Sequence, residues 1–167
     1  MKKNCFMLML AAVASASLSS AQTVRWNNIV GVITAPNVDN PVAGISAGTS
    51  PWTTTSGKAR VNLLTGAVTF DVQGLVLNGG NATGTNPAAI SDVVGTLVCN
   101  PGAGNQQVLD TVRVPITTEG DAHFSGQFAS VPAQCDGPLF LIRIGPSLPA
   151  AAGRWIATGA VRATDGK

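Results

Sequence analysis

Hydrophobic and polar residues alternate along much of the chain, in short runs separated by glycine, proline, asparagine and aspartate. Because neighbouring side chains of a β-strand point to opposite faces, this spacing is typical of strands with one buried face. The run at 139–142 is apolar at every position, which predicts a central strand. The pattern predicts an all-β domain, a single antiparallel sandwich or Greek-key barrel of about eight strands. The predicted strands are residues 24–33, 59–64, 67–75, 90–99, 108–116, 122–128, 139–144 and 154–163.

The clearest local unit is a hairpin over residues 58–73, where apolar and polar residues alternate on both arms. One-sided burial requires the apolar residues of the two arms to share a face. A two-residue loop at Thr65-Gly66 meets this requirement and pairs Val61 with Phe70. A four-residue loop also keeps the apolar residues of both arms on one face, so the pattern leaves both registers open.

A second hairpin is predicted over residues 108–128, with its turn near the middle. Val112, Val114 and Ile116 are expected to face inward on its first arm. Pro115 has no amide hydrogen to donate, so this arm is expected to lie at a sheet edge or to bend there.

The first 21 residues have the layout of a secretory signal peptide. Two lysines follow the initial methionine, residues 5–18 are small or apolar, and the small residues Ser19 and Ala21 precede a cleavage position. The apolar run is too short to span a bilayer, so no integral membrane segment is expected after cleavage. We therefore predict a cleaved signal peptide at 1–21, a single β-sandwich-like domain at 22–167, and a secreted or periplasmic location.

The charge balance changes once the signal peptide is set aside. The chain has 10 Lys+Arg and 8 Asp+Glu, and the two lysines of the signal peptide account for the excess of positive charge. The remaining basic residues are scattered singly along the sequence. This pattern gives no electrostatic footprint for nucleic acid or anionic lipid, so binding to polyanions is not expected.

The cysteines agree with export. Cys5 falls in the predicted signal peptide, which leaves Cys99 and Cys135 as a pair in an oxidising compartment, where a disulfide is the expected state. These two cysteines lack the CxxC spacing of many metal sites, and the chain has only one histidine. No metal and no cofactor are therefore predicted.

One motif resembles that of a serine hydrolase. Residues 44–48 match the GxSxG pattern around Ser46, and Asp92 or Asp110 followed by His123 would complete a Ser-Asp-His order. However, prolines lie on both sides of the motif and no helical pattern follows it, whereas the nucleophile of that fold sits between a strand and a helix. We therefore expect a glycine-serine loop, with Ser46 and His123 apart and no catalytic residues.

Three tryptophans remain as candidates for binding. Trp26 and Trp155 lie in predicted strands and are expected in the core. Trp52 lies in a predicted loop, where an exposed indole could contact a sugar or a protein partner. Alternatively, this indole folds back as a lid over one end of the domain.

The order of several segments resembles that of chordin-type (CHRD) domains. The strands that carry histidines in that family have no counterpart here, since Ile90-Ser91-Asp92 and Arg143-Ile144 stand in their place. The resemblance implies a secreted β-sandwich-like domain with no established catalysis. The segments that carry it are Ile29 to Pro41, Ser56-Gly57-Lys58-Ala59, Thr65-Gly66-Ala67-Val68-Thr69-Phe70, Gly74-Leu75, Leu139-Phe140-Leu141-Ile142 and Gly153-Arg154-Trp155-Ile156-Ala157-Thr158-Gly159.

Together these patterns predict an exported, non-catalytic binding or structural module of the cell envelope or extracellular space. Its expected partner is a protein or a carbohydrate, and its oligomeric state stays open. One alternative is a small secreted serine hydrolase that uses Ser46 and His123. A second alternative is a subunit of a surface assembly.

Overall fold

A computed structural model describes residues 23–35, 38–87, 90–145 and 152–164. The predicted signal peptide at 1–21 lies outside these residues. The described part of the chain is all-β, with one short 3-10 helix at Gly80–Ala82 and no α-helix. Its strands are β1 (Thr23–Gly31), β2 (Trp52–Thr53), β3 (Ser56–Asn62), β4 (Ala67–Gln73), β5 (Val76–Leu77), β6 (Asp92–Cys99), β7 (Gln107–Asp110), β8 (Val114–Pro115), β9 (Ala122–Gln127), β10 (Leu139–Ile144) and β11 (Trp155–Thr164).

Nine of the strands form one antiparallel sheet in the order β7-β6-β10-β11-β1-β3-β4-β9, with β8 also paired to β6. The short strands β2 and β5 pair with each other in a separate two-stranded sheet. The predicted all-β, antiparallel fold is confirmed. Its main strands belong to one curled, half-barrel sheet rather than to two separately hydrogen-bonded layers.

An aromatic contact shows how strongly the sheet curls. Strands β10 and β4 are four positions apart in the sheet, which would separate them by about 19 Å if the sheet were flat. Yet the ring centroids of Phe140 and Phe70 lie 5.8 Å apart. Phe140 also contacts Trp26 of β1 and Phe70 contacts Phe124 of β9, at 5.5 and 5.8 Å. The inner face of the curled sheet therefore holds the hydrophobic core.

Gly95 of β6 makes room for this contact. A Cβ atom at position 95 would lie 2.7 Å from Cε1 of Phe70 and 2.9 Å from Cζ of Phe140. Real Cβ atoms essentially never approach other heavy atoms so closely. The missing side chain of Gly95 thus lets both rings pack against β6.

The first hairpin has the four-residue loop. Val61 pairs with Val68, which leaves residues 63–66 as the connection. The side-chain oxygen of Asn62 accepts hydrogen bonds from the amides two and three residues further on, at 3.0 and 2.9 Å. Gly66 adopts a φ of 75° and donates its amide hydrogen to the Asn62 carbonyl oxygen. Asn62 therefore selects the longer of the two possible loops, because it caps the turn from within.

The second predicted hairpin is wrong in its pairing. Strands β7 and β8 both pair with β6, whereas β9 pairs with β4. Between β7 and β8, the Thr111 hydroxyl accepts the Gly95 amide hydrogen at 3.0 Å, so a side chain interrupts the backbone ladder. Val112 is consequently 70% exposed instead of facing inward. Pro115 does lie on an edge strand, as its missing amide hydrogen predicted.

The predicted cysteine pair is confirmed. Cys99, at the end of β6, is bonded to Cys135, and their Cα atoms lie 4.6 Å apart across a sequence separation of 36. Asn100 joins the same two segments, since its side chain donates to the Gln134 carbonyl and accepts from the Asp136 amide. The loop before β10 is therefore fastened to β6 by one covalent bond and several hydrogen bonds.

We predict that Gly95→Ala destabilises the fold by about 1–3 kcal/mol, because the added methyl group would displace the rings of Phe70 and Phe140. Urea unfolding measures this change. Gly104→Ala is the matched control, since a Cβ atom there would meet nothing within 4 Å. Equal midpoints for the two variants would contradict the packing role of Gly95.

We predict that Cys135→Ala lowers the free energy of unfolding by roughly 2–5 kcal/mol, because it releases a long loop in the unfolded chain. Unfolding of the wild type with and without a reducing agent provides the control. Reduction should destabilise the wild type and leave the stability of the variant unchanged. A loss of stability of similar size in both proteins would show that the reducing agent does not act through this disulfide.

Candidate functional site

A groove of about 500 Å³ crosses the outer face of β1, β3, β4 and β9. This face is the one turned away from the hydrophobic core, because the intervening residues of each strand are buried. The charged, amide and imidazole side chains that line the groove are Arg25, Asn27, Lys58, Arg60, Asp71 and His123.

Strand register places these side chains in two rows. In the first, which we name the arginine row, Arg25 lies opposite Arg60 and Arg60 lies opposite Thr69. In the second, which we name the lysine row, Lys58 lies opposite Asp71 and Asp71 lies opposite His123. Directly opposed residues of antiparallel strands have Cβ atoms about 4.5–5.5 Å apart, so each row is a set of close neighbours.

The groove is predominantly cationic. Among the residues that the structure describes, three basic side chains and one carboxylate, that of Asp71, line it. Asp71 lies beside the imidazole of His123, with 3.4 Å between Oδ2 and Nδ1, and both side chains reach solvent. Pairing of β1 with β3 places the like charges of Arg25 and Arg60 side by side.

This cluster differs from the scattered arrangement of basic residues that the sequence suggests. They are separate in the sequence, but pairing of β1 with β3 brings Arg25 beside Arg60. The alternation of residues 58–73 already places Lys58, Arg60 and Asp71 on one polar face. The sequence does not specify which strands flank that hairpin in the sheet, so it does not predict the groove.

Polar surface continues on both sides of the groove. A depression of about 320 Å³ includes Asn62 and Ser125, and another of about 270 Å³ includes Gln73 and Asp121. Apart from the residues that they share with the groove, their polar side chains are hydroxyls, amides and the carboxylate of Asp121. The outer face therefore offers hydrogen-bonding groups well beyond the two rows.

Ser46 lies elsewhere, in a loop that is docked on the start of β11. Its hydroxyl donates to Oδ2 of Asp39 at 2.7 Å, and its carbonyl oxygen accepts the Trp155 amide hydrogen at 3.0 Å. Asp39 also accepts the Ala47 amide hydrogen and lies 3.8 Å from the Arg154 guanidinium. The hydrogen bond from Ser46 is the largest effect and lowers the pKa of Asp39. Burial raises this pKa by less, and the Ala47 amide and Arg154 add smaller lowering effects.

The structure does not assemble the candidate triad from its predicted members. His123 pairs with Asp71 on the neighbouring strand. Asp110 binds Arg143 at 3.2 Å, and Asp92 accepts the hydroxyl hydrogen of Ser91. Ser46 and His123 thus each lie beside a carboxylate, but neither candidate acid of the sequence motif is their partner.

Trp52 is buried. Only 4% of it is exposed, and its amide donates to the Val32 carbonyl oxygen at 2.8 Å. Gly31 permits this approach, since a Cβ atom there would lie 2.2 Å from the Trp52 carbonyl oxygen. Trp52 therefore does not present the exposed indole that the expected ligand contact needs; the tryptophan folds back into the core, as in the alternative drawn from the sequence.

Two further observations concern the described residues as a whole. They contain no group of three or more histidine, cysteine, aspartate or glutamate side chains placed to hold a metal ion. Nor does any helix in this part of the chain have the length and apolar character needed to cross a bilayer.

Comparison with known proteins gives no match: no family model, no curated protein and no solved structure matches the chain. The resemblance to chordin-type domains therefore stays a prediction.

We predict that Ser46→Ala raises the pKa of Asp39 toward its ordinary value, because the hydroxyl is the largest cause of the lowering. The lowered pKa means that the ionised Asp39 stabilises the fold above its ordinary pKa, and that this contribution is lost as the pH falls through the folded-state value. Titration of the carboxyl signal by NMR measures the shift. Ser125→Ala, a hydroxyl deletion on β9, should leave the Asp39 titration unchanged; the same titration in Ser46→Ala and wild type would refute the assignment.

Proposed function

We propose that this protein is an exported, non-catalytic binding module, and that the groove on its outer face contacts a carbohydrate or protein partner. The observation that carries the proposal is the gathering of the arginine row and the lysine row in one solvent-facing groove. A surface that only shielded the sheet from water would need no alignment of three basic side chains along one groove. A binding surface benefits from it, because preplaced charges steer and hold a complementary ligand.

The hydrogen bonds of the candidate nucleophile favour binding over catalysis. A serine nucleophile needs a base within about 2.6–3.2 Å and a third group that orients the base. The Ser46 hydroxyl donates to Asp39, and the imidazole of His123 faces Asp71. The two residues therefore contribute to separate local contacts, one in a docked loop and one at the edge of the groove.

Two features support export. The layout of residues 1–21 is that of a signal peptide. The bond between Cys99 and Cys135 is compatible with an oxidising compartment, where disulfides form and persist. In this proposal the curled sheet is a sandwich-like scaffold, the class that the resemblance to chordin-type domains also implies.

We predict that Thr69→Trp weakens binding of the mature protein to its partner about tenfold or more, because a bulky side chain beside Arg60 fills the groove. The mature protein, residues 22–167, would be labelled and titrated onto isolated cell envelopes and secreted polysaccharide of the producing cells. Thr118→Trp is the control, since Thr118 is exposed in the turn before β9.

Saturable binding that is lost in Thr69→Trp and kept in Thr118→Trp would support the proposal. Binding that both variants retain, or the absence of saturable binding to every fraction, would contradict it. Covalent labelling of Ser46 by a fluorophosphonate would contradict its non-catalytic part, because that reaction requires an activated serine.

A further inference from the structure

The outer face carries its positive charge at fixed positions on paired strands. Arg25 and Arg60 are directly opposed on β1 and β3, and Lys58 lies two residues from Arg60 on the same face. Successive residues on one face of a strand are about 6.6 Å apart, so the three cations surround one short stretch of the groove. A negative group of a ligand placed between them would lie close to all three.

We propose that the groove binds an acidic saccharide through its carboxylate or sulfate group, which lies between Arg25, Arg60 and Lys58. This inference rests on the proposed function and names the ligand class for the same groove. Arginine suits the role because its planar guanidinium can donate two parallel hydrogen bonds to one oxyanion, and lysine adds a compact charge.

The remaining polar groups of the groove match the hydroxyls of a sugar. Asn27 and Thr69 can both donate and accept hydrogen bonds, and the carboxylate of Asp71 can accept hydrogen bonds from hydroxyls. Asp71 also repels a second negative group, which fixes the orientation of the ligand. The oxyanion then lies at the arginine row and the hydroxyls lie toward Asp71.

Aromatic burial disfavours two other ligand classes. Trp26 and Phe70 border the groove but are only 2% and 1% exposed. Neutral sugars and single-stranded nucleic acids are commonly held by stacking on exposed aromatic rings, and these buried rings offer no such surface. Charge and hydrogen bonding are the interactions that this groove provides, which favours an anionic, hydroxyl-rich ligand.

The test uses one polymer in three forms: dextran, carboxymethyl-dextran and dextran sulfate. Binding to the mature protein would be measured by calorimetry at low and at high sodium chloride. We expect the two anionic forms to bind at least about tenfold more tightly than dextran, with affinities that fall as salt rises. Comparison of the carboxymethylated and sulfated polymers shows whether the groove prefers a carboxylate or a sulfate group.

Variants test whether the groove is responsible. Arg60→Gln and Lys58→Gln should each weaken binding of the better anionic polymer by about fivefold to tenfold, and Arg60→Lys should weaken it less than Arg60→Gln. Arg162→Gln is the matched control for net charge. Arg162 lies opposite Trp26 on β11, on the other face of the sheet, and its guanidinium donates to the Pro138 carbonyl oxygen.

Three outcomes would overturn the inference: equal binding of dextran and its anionic forms, no binding of either anionic form, or equal weakening by Arg60→Gln and Arg162→Gln. The last would mean that only net charge attracts the polymer. If the anionic forms do not bind while Thr69→Trp still abolishes envelope binding, the ligand class is wrong and the binding function stands. If Thr69→Trp and Thr118→Trp both leave envelope binding intact, the binding function itself fails.

Discussion

The contact between Phe70 and Phe140 over Gly95 determines the shape of this protein. The two rings belong to strands that are well separated in the sheet, so they meet only because the sheet curls back on itself. The curl defines an inner face that excludes water and an outer face that does not. The polar side chains of the groove lie on the outer face because each one alternates along its strand with a residue that is buried against the aromatic core.

The position of the groove follows from pairing between strands that are distant in the sequence. Only the contact of β3 with β4 is local; β1 joins them from the start of the described chain, and β9 joins from beyond β8. Each of these strands contributes charged or polar residues of ordinary character. Their combination on one surface is a property of the topology, and no single segment carries it.

Much of the fold could be predicted because strand alternation is a local signal. The polar and apolar faces of residues 58–73 and of β9 are as the alternation indicates. The predictions that failed did so because of local features that alternation does not reveal. Thr111 replaces a backbone group in the ladder beside Gly95, and β2 and β5 are too short to show a period. The groove could not be predicted, because it requires sheet neighbours that alternation does not specify.

The pairing of β1 with β11 has a consequence for how the molecule assembles. Val24 lies opposite Thr164, so the ladder that joins the two halves of the sheet connects residues from near the two ends of the described chain. Contacts of such long sequence separation form slowly, because the intervening chain must first be ordered. Until β11 inserts, β1 and β10 both present unsatisfied backbone edges. A chain in which β11 is still unpaired therefore exposes both of these edges, and such edges favour aggregation.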